Sequence, residues 1–282
     1  SNLSPGRRLV RAPPAARGPA HPWCLHMNAP RDAGGVPKRA MVLSAGKGLR
    51  LRPITETKPK PLVEIHGKPL LDHALDRLAD ASVEEAVVNL HYLGEQILTH
   101  LKGRLAPKII FSEEAELLET GGGIKKALPL LGDDPFIVVN SDVLWLDGAT
   151  PMLRRLAGLW DDSAMDALLL LHPTSAAVGY HGGGDYRMDP LGRLSYRQER
   201  FVPPFVYAGV QIAHPRLFAG APEGAFSLKP LLDRAEEAGR LYGLRHDGLW
   251  CHVGSPEEMR EVEEMLLLEL GKPRREARAA AG

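Results

Sequence analysis

From Ala40 onward, short apolar runs alternate with longer segments of helical spacing, and this alternation limits the fold more than any other feature. Runs this short and this rich in Val, Ile and Leu are typical of buried strands. Strands that alternate with helices predict an α/β fold: a Rossmann-like, mostly parallel mixed sheet flanked by helices. The predicted strands are 40–44, 86–90, 108–111, 136–140, 167–171 and 205–212. The predicted helices are 69–80, 94–102 and 121–131.

The last segment of the chain has a clear predicted start and stop. Ser255 can cap a helix, Pro256 suits its first position, and Glu258 stands three residues after the cap. Apolar residues follow at helical spacing until Gly271 and Pro273 stop the helix. The pattern predicts a final helix that packs its apolar face on the domain.

The two ends of the chain differ in composition from the middle. Residues 1–39 are rich in Pro, Gly, Ala and Arg, and they contain no apolar run like that of a secretory signal. We predict a disordered leader over 1–39, with Met27 as a candidate natural start, a domain over 40–270, and a basic disordered tail over 271–282. Because the whole chain has no formal net charge, basic tails imply an acidic body, which argues against nucleic-acid binding.

The apolar residues and the cysteines restrict the class of protein further. No apolar run approaches the roughly 20 residues that a membrane span needs, so we expect no membrane insertion. Cys24 and Cys251 lie far apart, and they show neither metal-ligand spacing nor a disulfide framework. This usage suits a reducing cytosol, so we expect a cytoplasmic protein.

A glycine loop rich in basic residues follows the first predicted strand directly. Residues 43–53 read LSAGKGLRLRP, and residues 57–61 read TKPKP. In a parallel sheet ligands bind at the carboxyl ends of strands, where glycines let backbone N–H groups approach phosphate oxygens. A dinucleotide fingerprint would need a glycine in place of Leu51, and the Gly-Lys-Ser/Thr of a Walker A loop is missing. The alternative, a solvated basic loop that uses glycine only for turning, explains the strand-to-loop context less well. The cations indicate a triphosphate ligand. They are Lys47, Arg50, Arg52, Lys58 and Lys60.

The stretch LSAGKGLRLRPITETKPKPLVEIHGKPLLDH, residues 43–73, closely resembles the signature of sugar-1-phosphate nucleotidylyltransferases. The resemblance extends over about residues 40–265 and implies the nucleotide-diphospho-sugar transferase fold. Within this family, residues 117–143 look most like the branch that uridylylates N-acetylmuramate 1-phosphate in cell-wall recycling. Mannose-1-phosphate guanylyltransferases more often read Leu-Gly-Thr-Ala-Gly where this chain has LETGG at 118–122.

The resemblance implies roles for particular residues. Arg50 would bind the triphosphate and stabilise the departing pyrophosphate, and Lys60 would bridge phosphates of the two substrates. Asp142, just after the strand 136–140, would be a ligand of Mg²⁺, which favours hard oxygen atoms. The implied nucleotide-binding residues are Ser44, Ala45, Gly46, Lys47, Gly48, Glu119, Thr120, Gly121, Gly122 and Asn140.

Two further regions are assigned with less support from the residues themselves. Three consecutive glycines weaken a helix start, so we interpret 121–123 as a close backbone approach to a pyrimidine, with Thr120 as the helix cap. On the sugar side each candidate could equally be a loop or core residue. These candidates are Asp185, Glu199, Tyr207 and Gly209.

The chain departs from the family pattern at the second expected metal ligand. The family commonly has Asp in a Trp-x-Asp-Val-Gly element, and this chain reads WCHVG at 250–254, with His252 in place of that Asp. Neutral imidazole is a poor ligand for Mg²⁺. Mg²⁺ resting on Asp142, phosphates and water is the preferred outcome. Two other outcomes are open: His252 binds Mn²⁺ or Co²⁺, or the activity is impaired.

The expected reaction joins UTP and N-acetylmuramate 1-phosphate, with release of pyrophosphate, in a cytoplasmic enzyme that uses Mg²⁺ and acts on neither nucleic acid nor membrane. The alternatives are a mannose- or heptose-1-phosphate guanylyltransferase, or an inactive nucleotide-binding regulatory module. No repeat of fixed period is present, so the β-helix that assembles some related enzymes is not expected. A monomer is therefore mildly preferred.

Overall fold

The computed structural model describes residues 35–197 and 202–270, so the predicted leader (apart from 35–39) and tail lie outside the described residues. The strands are β1 (Arg39–Leu43), β2 (Glu64–Ile65), β3 (Lys68–Pro69), β4 (Glu85–Leu90), β5 (Lys108–Glu113), β6 (Phe136–Asn140), β7 (Val143–Leu146), β8 (Ala167–Pro173), β9 (Tyr186–Met188), β10 (Leu194–Tyr196), β11 (Phe205–Ala213), β12 (Leu241–Arg245) and β13 (Leu249–His252). The helices are α1 (Leu70–Asp80), α2 (Gly94–Leu101), α3 (Glu119–Leu131), α4 (Met152–Leu159), α5 (Lys229–Glu237) and α6 (Pro256–Leu270). The six predicted strands correspond to β1, β4, β5, β6, β8 and β11.

The central sheet has nine strands and is mixed, with β1 in its interior. β1 pairs in parallel with β4 on one side and β6 on the other, and β5 extends the parallel set beyond β4. β11 runs antiparallel between β6 and β8, and β12 returns parallel to β8. The predicted mostly parallel mixed sheet is confirmed.

Helices cover both faces of this sheet because the strand residues alternate between two apolar cores. In β1, Ala40 and Val42 face the core that holds the apolar residues of α1, α2 and α4. Met41 faces the opposite core, which α3 and α5 complete. Both faces are apolar, as a parallel sheet buried on both sides requires. Among the described helices none combines the length and apolarity needed to cross a membrane.

A small sheet and the last helix extend the domain beside the carboxyl end of β6. β7 and β13 pair antiparallel, with His252 opposite Val143, and the N–H of Val253 donates to the carbonyl of Asp142 (3.3 Å). α6 begins as predicted, since the N–H of Glu258 donates to Ser255 Oγ (3.2 Å). α6 packs its apolar residues against β2 and the small sheet. This arrangement carries His252 to the carboxyl end of β6.

Two histidines lie inside the protein, next to each other. His172 in β8 is 3% exposed and His246 just after β12 is 1% exposed, and their ring centroids are 5.8 Å apart. Burial lowers the pKa of both imidazoles, and each stays neutral at pH 7. In the unfolded chain their pKa is the ordinary value of about 6.5, so unfolding takes up protons as the pH falls below it. The stability that depends on the neutral pair is complete above that pH and is lost as the pH falls toward the lower folded pKa.

We therefore predict that the melting temperature falls between pH 7.5 and pH 5.5, and that His172→Gln reduces the fall because it removes one of the two titrating groups. Circular dichroism melts at both pH values measure this. His181→Gln, at a histidine whose side chain is 68% exposed, is the control and should keep the wild-type fall. An equal fall in wild type and His172→Gln would contradict the prediction.

Candidate active site

A cleft of about 430 Å³ lies at the carboxyl ends of β1, β4 and β6. These strands are parallel neighbours, so the residues that follow them meet at one edge of the sheet. Eight of the residues predicted for the site line this cleft. They are Ser44, Ala45, Gly46, Lys60, Glu119, Thr120, Asn140 and Asp142.

The two glycines of the loop after β1 have different surroundings. A Cβ on Gly46 would meet no atom within 4 Å, so its backbone is open to a ligand. Gly48 has a φ of 61°, and a Cβ there would stand 2.9 Å from Lys60 Cβ. The hydroxyl of Thr55 donates to the Gly48 carbonyl (2.8 Å). Gly48 is thus required by the loop's conformation and by the close approach of Lys60.

Two of the basic residues predicted in this loop lie outside the cleft lining. Lys47 and Arg50 are both exposed. Arg50 extends toward the small sheet, where its Nη2 would stand 2.8 Å from a Cβ placed on Gly254. The guanidinium therefore lies on the side of the site where His252 is found.

Lys60 and Asp142 form an ion pair at the centre of the site. Lys60 Nζ donates to Asp142 Oδ2 at 2.7 Å, and only 13% of the lysine side chain is exposed. Burial by itself would raise the pKa of the Asp142 carboxyl. The charges of Lys60 and His252 outweigh that effect and hold the pKa below its ordinary value. Asp142 is therefore ionised at neutral pH although it is largely enclosed.

His252 is held in place by a buried carboxylate. Its Nδ1 lies 3.2 Å from Glu258 Oε2, which also accepts the N–H of Gly254 at 2.6 Å. The ring stacks on Trp250, with centroids 6.3 Å apart. Since Nδ1 is engaged, Nε2 is the nitrogen left for another partner. Within residues 35–197 and 202–270, no group of three or more His, Cys, Asp or Glu side chains could hold a metal by itself.

The glycines at the start of α3 serve internal packing. The N–H groups of Gly121 and Gly122 both donate to the carbonyl of Phe226 (2.9 and 3.1 Å). A Cβ on Gly121 would stand 2.4 Å from the Phe226 ring, and one on Gly122 would stand 2.2 Å from the carbonyl oxygen of Gly224. Neither glycine lines the cleft, and the structure explains both glycines by close contacts within the chain, while their contact with a base stays a prediction.

The prediction that Thr120 caps α3 is wrong. The helix begins at Glu119, before Thr120, and Glu119 has a φ of 59°. Thr120 Oγ1 instead accepts the N–H of Leu228 at 2.9 Å. Together with the bonds to Phe226, this contact fixes the segment 224–228 against the first turn of α3, where it forms one wall of the cleft.

The sugar-side candidates have structural partners in β11 and its neighbours. Asp185 Oδ2 accepts the N–H of Tyr207 at 2.9 Å. Burial and the negative charge of Asp142 raise the pKa of Tyr207. Gly209 has a φ of 74°, and a Cβ there would stand 3.1 Å from Asn140 Nδ2. Their roles in sugar binding stay predictions, and Glu199 lies outside the described residues.

Six residues of the cleft lining were not predicted. The most informative is Asn89, which ends the apolar run of β4 and could have been found as a polar residue at a strand's carboxyl end. Ser227 gave no signal, because it reaches the site only through the contacts of Phe226 and Leu228. The other four are Leu43, Pro61, Leu117 and Ser141.

Comparison with known proteins gives the family. The nucleotidyl transferase family model matches residues 39–180. The chain belongs to this family, and the expectation of a sugar-1-phosphate nucleotidylyltransferase is confirmed.

This chain aligns over nearly the whole length of two curated relatives. An N-acetylmuramate alpha-1-phosphate uridylyltransferase of Caulobacter vibrioides is 45% identical over 82% of this chain and 98% of its own. A protein of the same name from Neisseria meningitidis serogroup B is 37% identical over 80% of this chain and 97% of its own. A mannose-1-phosphate guanylyltransferase catalytic subunit beta of Danio rerio is 30% identical over 78% of this chain and 62% of its own.

Solved structures support the fold. A UDP-glucose pyrophosphorylase complexed with UDP-glucose superposes with a TM-score of 0.67 at 18% identity, covering 82% of this chain and 99% of that one. HddC from Yersinia pseudotuberculosis, complexed with GMP-PN, gives 0.66 at 24% identity, with 81% and 99% covered. The nucleotide-diphospho-sugar transferase fold is thereby confirmed.

The different surroundings of Gly48 and Gly46 predict that substitution affects the free energy of unfolding at one position and not at the other. Gly48→Ala should cost about 1–3 kcal/mol in the free energy of unfolding, because the new Cβ is strained at positive φ and collides with Lys60. Gly46→Ala should leave the free energy of unfolding unchanged, since its Cβ meets nothing. Urea denaturation of both variants tests this, and equal losses in the two would contradict it.

Proposed function

We propose that the protein transfers a uridylyl group from UTP to N-acetylmuramate 1-phosphate, giving UDP-N-acetylmuramic acid and pyrophosphate. The observation that carries the proposal is the Lys60–Asp142 pair in the cleft beside the glycine loop, in a chain 45% identical to a relative with this named activity. The substrate implies a cytoplasmic role in peptidoglycan recycling.

The reaction requires the protein to orient the two substrates and to stabilise negative charge. An oxygen of the sugar 1-phosphate attacks the α-phosphorus of UTP and forms a new P–O bond. The bond from that phosphorus to the oxygen bridging the β-phosphate breaks, and its electron pair leaves with pyrophosphate. Because the sugar phosphate is already ionised at neutral pH, no general base is needed, and orientation with charge stabilisation supplies the catalysis.

The positions of the site residues assign them different parts of substrate binding and charge stabilisation. Lys60 is largely desolvated, so its charge acts strongly on the phosphates that enter the cleft. The backbone at Gly46 is open and can bind the triphosphate through its N–H. Arg50, exposed near Gly254, would bind the triphosphate and stabilise the departing pyrophosphate.

The residues present fit a Mg²⁺ ion. Asp142 is an ionised carboxylate in the cleft, and Mg²⁺ commonly binds one or two protein carboxylates with phosphate oxygens and water. When bound, the ion would neutralise phosphate charge in the transition state. His252 Nε2 would suit Mn²⁺ or Co²⁺ better, since imidazole is a borderline ligand. Asp142 is the ligand that serves either metal.

A guanylyltransferase that acts on mannose 1-phosphate is the second candidate. The 30% identity to the Danio rerio guanylyltransferase supports it, and nothing in the cleft lining by itself selects uracil over guanine. The third reading, a regulatory module that binds nucleotide without turnover, depends on the histidine at position 252.

Pyrophosphate release should require UTP and N-acetylmuramate 1-phosphate together. The assay adds each triphosphate, UTP or GTP, to the 1-phosphates of N-acetylmuramate, N-acetylglucosamine, mannose and a heptose, with Mg²⁺, Mn²⁺ or Co²⁺. Release with GTP and mannose or heptose 1-phosphate would replace the proposal by a guanylyltransferase. No release with any pair or metal, while UTP still raises the melting temperature, would favour the binding module.

Asp142→Ala should lower kcat by at least about a hundredfold, because it removes the metal ligand and leaves Lys60 buried without its partner. The control is Asp133→Ala, at an exposed aspartate after α3, which should retain wild-type turnover. Circular dichroism checks that both variants fold. Turnover of Asp142→Ala within tenfold of wild type would remove this residue from the metal site.

A further inference from the structure

A chain of buried hydrogen bonds joins the loop after β1 to the first turn of α3. Ser44 donates its N–H to Asn89 Oδ1 (2.7 Å) and its hydroxyl to the Asn89 carbonyl (2.6 Å). Asn89 Nδ2 donates to Glu114 Oε1 (2.7 Å), and the N–H of Leu118 donates to Glu114 Oε2 (3.0 Å). These bonds link two walls of the cleft.

The centre of this chain of hydrogen bonds is the buried carboxylate of Glu114. Glu114 is 5% exposed, and among the described residues no Lys, Arg or His forms an ion pair with it. A buried carboxylate is expensive unless donors surround it, and here Asn89 and Leu118 both donate. A glutamine at this position could accept only one of the two bonds, so the arrangement requires a carboxylate.

The third glycine of α3 is shaped around the same pair. A Cβ on Gly123 would stand 2.8 Å from Glu114 Oε1 and 3.0 Å from Asn89 Nδ2. The helix therefore approaches the hydrogen-bond chain so closely that only glycine fits. Both ends of the chain adjoin residues that line the cleft, Ser44 and Ala45 at one end and Glu119 at the other.

We propose that Glu114 is a positioning residue for the nucleoside triphosphate. Through Asn89 it fixes the start of the phosphate loop, and through Leu118 it fixes the wall that bears Glu119. It thereby sets the width of the cleft between them. The proposal rests on the proposed function only in taking this cleft as the nucleotide site.

An exchange of donor and acceptor tests the proposal. Glu114→Gln sets an amide NH₂ group against one of the two donors, Asn89 or Leu118, so that one hydrogen bond is lost. Asn89→Asp sets a second carboxylate against Glu114. In the double variant the amide at 114 can donate to the carboxylate at 89. The bonds from Ser44 and Leu118 are then kept, with the same net charge and only the middle bond reversed.

Each single variant should weaken triphosphate binding by about tenfold, the loss typical of one broken buried hydrogen bond, and the double variant should return to within about threefold of wild type. Calorimetric titration measures the dissociation constant. In turnover assays KM for the triphosphate should rise while KM for the sugar 1-phosphate stays within twofold. A purely structural role would reduce the folded fraction and leave this split absent. Glu113→Gln, at the exposed neighbour, is the matched control and should bind as wild type.

Single-variant losses that add in the double variant, or single variants that bind within twofold of wild type, would overturn the proposal. If a single variant does not fold, the double variant decides: wild-type affinity supports the proposal, and weak affinity or misfolding overturns it. The titration uses whichever of UTP and GTP the wild-type protein binds and needs no turnover. Failure of the uridylyltransferase reaction therefore leaves this test valid.

Discussion

The parallel pairing of β1 with β4 and β6 is the interaction on which the site depends. It brings the residues after three strands to one edge: Ser44 after β1, Asn89 near the end of β4, and Asp142 after β6. The strands themselves are buried on both faces, and their apolar side chains hold this register. The polar residues begin where the apolar runs stop, so the cleft forms at the boundary between a rigid core and solvent.

The carboxylate of Asp142 stays ionised although burial opposes its charged form. Desolvation opposes the ionised form of Asp142, and the nearby Lys60 and His252 more than offset it. Within the part of the chain that the structure describes, Glu114 has no Lys, Arg or His paired with it, and the hydrogen-bond donors Asn89 and Leu118 contact its carboxylate instead. The two carboxylates therefore have different environments. Asp142 lines the cleft, while Glu114 is buried behind its walls.

Several glycines allow close contact between segments that are distant in sequence. The glycine pattern alone therefore does not show whether such a residue faces a ligand or another part of the chain. The three glycines of α3 predict contact with a base, and the structure adds that Phe226, Gly224 and the Asn89–Glu114 pair lie where their Cβ atoms would stand. These partners come from segments up to about a hundred residues away in sequence, and periodicity carries no information about such distances. For the same reason Ser227 and the role of Thr120 could not be predicted. The short strands β7 and β13 were missed because each has only four residues and they pair across a separation that no local signal reports.

The sequence by itself determined the α/β class and the six longer strands, and it singled out Lys60 and Asp142, which the structure places in the lining of one cleft and whose roles stay predictions. It could do so because apolar period and strand-end position are local properties of the chain. Only the tertiary structure decided how these parts face one another. It set Lys60 2.7 Å from Asp142, turned Nδ1 of His252 toward Glu258, and joined the walls of the cleft through Glu114. These contacts depend on the packing of distant segments, and packing is fixed only when the whole core has formed.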